Sequence, residues 1–539
     1  MWQQDSIHLQ GAQPRMFQAL ATEGFGNGFR AVAGEYGLPI SHVQPAWVND
    51  HCYGRMVPVG APEPKPGRTS GAPPNMVLWL LARLHPELRR RARAAKRTLT
   101  EKRWLTDCGR WETELRPARL TESRALQAEA VEDLDDDALV DHLGRVGRHF
   151  VRGMTLHFDL TPVTDIPVGR LIVACREWGI EPGDALGLFA GTSPASRASA
   201  SMLAAIAAAC AEAGVDPHTL DDVRAAGPTA AQALDDYLAD HGWRAVSQYS
   251  PRARTLGEQP GLLVRAIRAT GGKRPPTPDV DAVRSRVPDS ARHRFDELLE
   301  DARRCYFVRD DNVALNFMWP AGLLRRSLLE AGRRLAIRGL LDEDSHVMAL
   351  SEHEIASALA GDTTLRRAAA ERAAHAQAAE SDGAPVMLGD DEGRPPDATL
   401  FPRAMGELLA AILVSFEIED DFVSFQQEPS TWTGRGVGIG VEAYTGQACV
   451  AADPEDGLDR LQPGDVLVTT HTTPAYEAVM AIAGAVVTES GGLVSHAAIV
   501  CREQGIPALL GVTAATSTIP DGATITVDPA TGQVTVTTP

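Results

Sequence analysis

Two patterns of apolar and polar positions divide this chain. From Asn75 to about Leu340, apolar residues recur every three or four positions, the spacing of one face of a helix. "LWLLARLHPELRRRARAAKR" sets its leucines on one side and its arginines on the other. "GLLRRSLLEAGRRLAIRGLLDE" repeats the pattern, with Leu324 and Leu328 one turn apart and Gly339 at the expected stop. Such segments predict helices with one face in a core and a charged face in water. The alanine-rich run from Met202 to Val215 predicts a buried helix.

After Thr431 the pattern changes to short apolar runs cut by glycine turns. "GVGIGVEAYTGQACV", "GDVLVTT", "AGAVVTE", "PALLGV" and "ATITVDPATGQVTVTT" predict strands, the last folded into a hairpin around "DPATGQ". Helices are predicted between them, around Thr473–Ile482 and His496–Gln504. This makes a compact α/β unit of about 100 residues, an ordinary domain size. Between the two patterns lies a polar alanine-rich helix, a turn-rich stretch "LGDDEGRPPDATLFPR" and a second apolar helix, which together read as a connector. The stretch before Gly60, with Gly24, Gly26 and Gly28 in "GFGNGFR", is mixed. The expected architecture is multidomain: a mainly α-helical domain at 1–360, a helical connector and hinge at 361–430, and an α/β domain at 431–539.

Composition narrows the function. A net charge of -19 over 539 residues argues against a general binder of nucleic acid or anionic membranes. The lysines are Lys65, Lys96, Lys102 and Lys273 alone, which weakens any mechanism built on a catalytic or phosphate-binding lysine. The cysteines, Cys52, Cys108, Cys175, Cys210, Cys305, Cys449 and Cys501, are odd in number and form no CxxC pair. They fit reduced thiols in a cytoplasmic protein and suggest no zinc site. "MWQQDSIHL" carries no signal-peptide pattern, and no apolar run approaches the ~20 residues of a membrane-spanning helix. His149, His157 and His471 show no metal-ligand spacing.

The candidate chemistry lies in "ESGGLVSHAAIV", residues 489–500. A predicted strand ends, Gly491 and Gly492 follow, and His496 opens a predicted helix behind Ser495, a natural N-cap. Helix N-termini carry unpaired N–H groups and a partial positive charge, and glycine lets backbone approach a phosphate. That charge also lowers an imidazole's pKa and keeps the ring neutral and nucleophilic. The pattern alone equally suits a capping or core histidine.

The longer stretch "GDVLVTTHTTPAYEAVMAIAGAVVTESGGLVSHAAIVCREQGIPALLGV" resembles the phosphohistidine swivelling domain of PEP-utilising enzymes, the family of PEP synthase, pyruvate phosphate dikinase and rifampicin phosphotransferase. The core T-x-x-GG-x-x-SH-A/G-A-I/V is matched in order by Thr488, Gly491, Gly492, Ser495, His496, Ala497 and Ala498. The resemblance implies that His496 carries a phosphoryl group, that Thr488 hydrogen-bonds the phosphorylated ring, and that Gly491, Gly492 and Ser495 shape the phosphohistidine loop. Upstream, "WRAVSQYSPRARTLGEQPGLLVRAI" and "VRDDNVALNFMWPAGLLRRSLLEAGRRLAIRGLLDEDSHVMALSEHEI" resemble more weakly the parts that hold the acceptor in rifampicin phosphotransferase-like proteins. Here the family's GHR reads His241-Gly242-Trp243-Arg244, its acid is Gln248, and the second arginine of R-E-x-x-R after Arg309 is absent.

The resemblance thus implies a helical acceptor domain followed by an α/β swivelling phosphohistidine domain, with His241, Arg244, Arg252, Arg254 and Arg309 as acceptor-site candidates. Arginines stabilise charge on a transferring phosphoryl group, and a histidine deprotonates a hydroxyl. No Walker A motif is present: in "GGKRPPT" Lys273 is followed by arginine. No ATP-grasp part is found, so a separate ATP-grasp protein, with ATP and Mg2+ at its own nucleotide site, is the expected phosphoryl source. The acceptor is expected to be a small hydroxylated or carboxylated molecule, such as an antibiotic or natural-product intermediate, with dehydration one use of the phosphorylated product. A phosphocarrier or ligand-binding protein without acceptor chemistry of its own is the alternative.

Overall fold

A computed structural model describes the chain outside residues 1, 6–8, 10, 61–73, 190–193, 246–248, 270–277, 386, 390–396, 421–425, 429–430, 441, 452–453, 473–475, 492–494 and 538–539. Of the candidate residues, Gly492 and Gln248 lie outside the described set. The chain packs into two compact units, each made of three stretches: 1–163, 248–253 and 312–410 in the first, and 164–247, 254–311 and 411–539 in the second. Limits at 360 and 430 divide the chain by type of element, whereas packing divides it along these other lines.

The first unit is mostly helical, with a small antiparallel sheet of β1 (Trp2–Gln4), β2 (Ile40–Val48), β3 (His51–Pro58) and β4 (Met387–Leu388) in the order β2-β3-β1-β4. The β2–β3 hairpin turns on Asn49 and Asp50, both at positive φ (48° and 63°), the left-handed pair that matches strand twist. The stretch read as mixed contains the helix Arg15–Tyr36, running through all three glycines of "GFGNGFR". Two of the three serve close packing. A Cβ on Gly24 would come within 2.7 Å of Met154, and one on Gly28 within 2.7 Å of the Thr155 carbonyl oxygen, whereas Gly26 meets nothing within 4 Å. Glycines one turn apart thus let this helix approach the helix Asp136–Glu177, with Phe25 and Phe158 in ring contact at 4.3 Å.

The same unit buries a polar cluster. Ser123 Oγ lies 3.0 Å from His149 Nε2, His149 Nδ1 lies 2.9 Å from Glu122, and Arg119 bonds Asn316 at 3.0 Å. Ser123 and His149 are fully buried while Glu122 reaches the surface, so this serine–histidine–glutamate row ties helices together and its serine and histidine meet no solvent. Burial holds the His149 imidazole down to about 4, against the pull of Glu122.

The second unit holds a nine-stranded sheet in the order β5-β6-β13-β12-β8-β9-β10-β11-β7. Its strands are β5 (Gln426–Glu428), β6 (Thr431–Arg435), β7 (Val437–Ile439), β8 (Tyr444–Ala451), β9 (Val466–Thr469), β10 (Ala485–Thr488), β11 (Ala508–Leu510), β12 (Thr524–Asp528) and β13 (Gln533–Thr537). The middle run β8-β9-β10-β11 is parallel. Parallel neighbours need crossovers, supplied by the helices Pro454–Arg460, Glu477–Ile482 and His496–Gln504. Every residue of β9, β10 and β11 is buried, which explains why they are apolar up to the closing Thr469 and Thr488. Val486 faces the side covered by helices and Val487 the opposite side, as alternation demands. The hairpin expected around "DPATGQ" pairs Asp528 with Gln533.

Helices upstream share the sheet's covered face. Val168, Leu234, Leu263 and Phe295 join Val479, Val486 and Ile499 in one apolar core. The alanine-rich helix Pro194–Glu212 is a correction to the reading of Met202–Val215 as buried. Leu203, Ile206 and Cys210 face inward, while Ala204, Ala205, Ala208 and Ala211 are exposed. Alanine raises apparent hydropathy yet rests in water at little cost and favours helix on any face. Among the described residues no helix is long and apolar enough to cross a membrane.

The glycine packing is testable. Gly28→Ala is expected to destabilise the protein by about 1–3 kcal/mol, because the contact is backbone that cannot yield. Gly26→Ala is expected to be neutral or to stabilise by up to about 1 kcal/mol. Thermal melts of the two variants beside wild type check the contrast; equal shifts would contradict the packing.

Candidate functional site

The site is built where β9 and β10 end side by side. Thr488 is opposite Thr469 in the parallel register. Beyond the strands, Glu489 N donates to Thr469 O at 3.1 Å and Ser490 N to Thr470 O at 2.8 Å, pinning the two outgoing loops together. Thr516 anchors the outer side, its backbone N and hydroxyl donating to Glu489 Oε1 at 2.7 and 2.5 Å. Loops at the carboxyl ends of parallel strands are where α/β folds gather chemistry.

Gly491 stands at φ 110°, a conformation that side chains rarely adopt. A Cβ there would come 3.0 Å from Ser495 Oγ and 3.9 Å from Thr488 Oγ1, so these three residues share one small space. Ser495 caps the helix: its Oγ accepts from Ala498 N at 3.4 Å and its carbonyl from Ile499 N at 3.0 Å. His496 is therefore the first residue of the helix His496–Gln504, which closes at Gly505 in the left-handed region (φ 66°). The predicted limits of this helix are the observed ones.

The opposite wall is the loop Thr470-His471-Thr472. Thr472 Oγ1 lies 3.1 Å from His496 Nδ1, which fixes the ring and turns Nε2 away from that contact. Among the described residues, His496 Nε2, Thr488 Oγ1 and His471 Nε2 are buried and have no hydrogen-bond partner. Three such atoms in adjoining loops are unusual, since buried polar groups are normally paired. Burial first, then the charge of Arg309 and the neighbouring His471, hold the His496 imidazole down to about 3. The ring is neutral at physiological pH, with Nε2 the free nitrogen, which is the state of a nucleophile.

Two further groups come from the upstream helices of the same unit. Arg309, three-quarters buried, is 3.8 Å from Asp165. Tyr306, at the end of the helix Arg292–Tyr306, lies near the Arg502 guanidinium on the His496 helix, and burial pushes its hydroxyl up to about 12. The His496 helix thus has the upstream helices as its neighbours.

The other acceptor-site candidates are placed differently. His241 ends the helix Pro228–His241, buried and stacked on Tyr237 at 4.7 Å. Burial, then Arg244, hold it down to about 2. The Arg244 backbone N donates to His241 O at 3.1 Å. Arg254 is exposed in the second unit. Arg252 belongs to the first unit, donating to Ala12 O and pairing with Glu380, both at 2.6 Å. The structure therefore brings together Thr488, Gly491, Ser495, His496 and Arg309. Sequence reasoning missed Thr472, His471 and Asp165. The available signal was the threonine-rich "TTHTT" directly after a parallel strand adjoining β10.

Residues 461–532 match the family model of the PEP-utilising enzyme mobile domain, and residues 195–326 that of the rifampicin phosphotransferase fourth domain. Chondramide synthase of Chondromyces crocatus is 27% identical over 573 aligned residues, covering 99% of this chain and 14% of that protein. Rifampicin phosphotransferase of Streptomyces sviceus is 28% identical, covering 56% of this chain and 34% of that protein. Phosphoenolpyruvate synthase of Aquifex aeolicus is 46% identical over 99 residues, 18% of this chain and 11% of that protein. The chain thus spans about a third or less of these relatives' length. The resemblance read from residues 464–512 holds: this part is similar to the mobile domain of PEP-utilising enzymes.

The neutral state of His496 has a direct check. In ¹⁵N spectra of histidine-labelled protein, its ring is expected not to titrate between pH 8 and about 5, given a pKa of about 3. A midpoint near the unperturbed value of about 6.5 would contradict the burial described.

Proposed function

We propose that this chain, with its segment similar to the mobile domain of PEP-utilising enzymes, is a histidyl phosphotransferase in which His496 carries the phosphoryl group to a small-molecule acceptor beside Arg309. The observation that carries this is the ring's setting. Nδ1 is held by Thr472, Nε2 is unpaired, and the imidazole is neutral at a glycine-preceded helix N-terminus.

In charging, the Nε2 lone pair attacks the phosphorus of the donor, an N–P bond forms and the donor's P–O bond breaks, its electron pair leaving with the oxygen. In delivery, an acceptor oxygen attacks the same phosphorus, the N–P bond breaks and its pair returns to Nε2, while the hydroxyl proton passes to a base. The helix N-terminus and the Thr488 hydroxyl favour the phosphoryl oxygens on His496, and Arg309 favours the charge that develops in transfer.

The phosphoryl source in this reading is a separate ATP-grasp protein, binding ATP and Mg2+ at its own site. The scarcity of lysines and the lack of a Walker A motif within these residues support that division of labour. The acceptor in this reading is a small hydroxylated or carboxylated molecule, such as an antibiotic or natural-product intermediate; the name of one relative above, rifampicin phosphotransferase, supports a small-molecule acceptor. A route from phosphorylation to elimination of the hydroxyl is open to such a product.

Incubation with ATP, Mg2+ and the ATP-grasp protein, followed by intact-protein mass, is expected to show one acid-labile phosphoryl group on wild type and none on His496→Ala. Absence of the gain on wild type would overturn the reading. Arg309→Ala is expected to charge normally and to deliver the group at least about tenfold more slowly. Charging without delivery in wild type, across hydroxylated acceptors, would instead favour a carrier without acceptor chemistry.

A further inference from the structure

Resting on this carrier reading, we propose that His471 is a second functional histidine: a positioning residue whose Nε2–H donates to the phosphoryl group held on His496. His471 belongs to the loop that follows β9, directly before Thr472, whose hydroxyl holds the carrier ring at 3.1 Å. Its own Nδ1 lies 3.1 Å from Thr470 Oγ1. With the threonine hydroxyl donating there, the neutral ring carries its proton on Nε2. That nitrogen is buried and has no partner among the described residues.

The loop itself is held from both sides. Thr469 Oγ1 is 3.0 Å from the Tyr476 hydroxyl, and the Thr470 carbonyl accepts from Ser490 N at 2.8 Å and from Ser490 Oγ at 3.0 Å. In this reading the two rings are opposite tautomers, with Thr472 accepting from His496 Nδ1–H and Thr470 donating to His471 Nδ1. Each has Nδ1 fixed by a neighbouring threonine and Nε2 left over. One Nε2 presents a lone pair that attacks phosphorus, the other an N–H that receives the phosphoryl oxygens. Such a donor, rigid and desolvated before the reaction, stabilises charge without reorganisation. Burial holds the His471 ring neutral, so what it adds is a hydrogen bond and not a charge.

Potassium phosphoramidate, a small phosphoryl donor for imidazoles, provides a test that needs no partner protein. Wild type, His471→Phe, His471→Gln and His496→Ala are treated in parallel, and phosphorylation of the peptide holding His496 is timed by mass spectrometry at neutral pH. Loss of a hydrogen bond to a charged group predicts charging roughly tenfold to a hundredfold slower in His471→Phe. His471→Gln, which keeps a donor, is expected within about threefold of wild type on the same basis. In ¹⁵N-labelled wild type, the His471 Nε2 resonance is expected to shift when His496 is charged, which a packing role would not cause.

Equal charging rates in wild type and His471→Phe would overturn the proposal, as would an unmoved Nε2 resonance. Phosphorylation at His471 in His496→Ala would overturn it too, by making the ring an acceptor of phosphoryl rather than a donor of hydrogen. Failure of wild type to charge at His496 would overturn the carrier reading itself, and the role of His471 with it.

Discussion

The site depends on two backbone hydrogen bonds, from Glu489 N to Thr469 O and from Ser490 N to Thr470 O. They extend the pairing of two buried parallel strands just past their ends, where sheets usually release their loops to solvent. Because of them, one loop delivers Thr472 to the His496 ring and the other delivers Gly491 and Ser495 to the start of its helix. Each contact at the His496 ring follows from this registration. A slip of one residue would turn Thr488 from the side of the sheet that faces the loop to the other.

The electrostatics follow from the same closure. An exposed histidine would be half-protonated near neutrality and a poor nucleophile. Burial by the facing loop and the nearby charge of Arg309 remove that competition. The arginine comes from the helix Val308–Val313, directly after the helix Arg292–Tyr306, whose Phe295 shares an apolar core with Ile499 of the His496 helix. The upstream helices therefore do more than flank His496: they set the charge around it, and Tyr306 lies near Arg502 on its helix.

Much of this was legible in the sequence, for stated reasons. Strand and turn patterning gave the α/β unit, and the serine before His496 and the glycine at 505 marked both ends of its helix because capping is local chemistry. The glycines of "GFGNGFR" were not legible as helix, since glycine disfavours helices and close packing against Met154 and Thr155 overrides that preference. The alanine-rich helix misled in the opposite sense, as its apolar count concealed a one-sided burial. His471 and Thr472 were invisible as partners of His496 because their approach is set by strand pairing between distant segments, which no local pattern reports. Arg252 resembled its fellow arginines in sequence and was separated from them only by packing, which gave it Glu380 as a partner.

In the proposed reaction Thr472 fixes Nδ1 of His496 and leaves Nε2 as the nucleophile. Phosphorus NMR of the charged protein, with ¹⁵N-labelled histidine, identifies the phosphorylated nitrogen. Phosphorus bonded to Nε2 of His496 is the predicted result. Phosphorus on Nδ1, or on any other residue while His496 stays bare, would contradict the account.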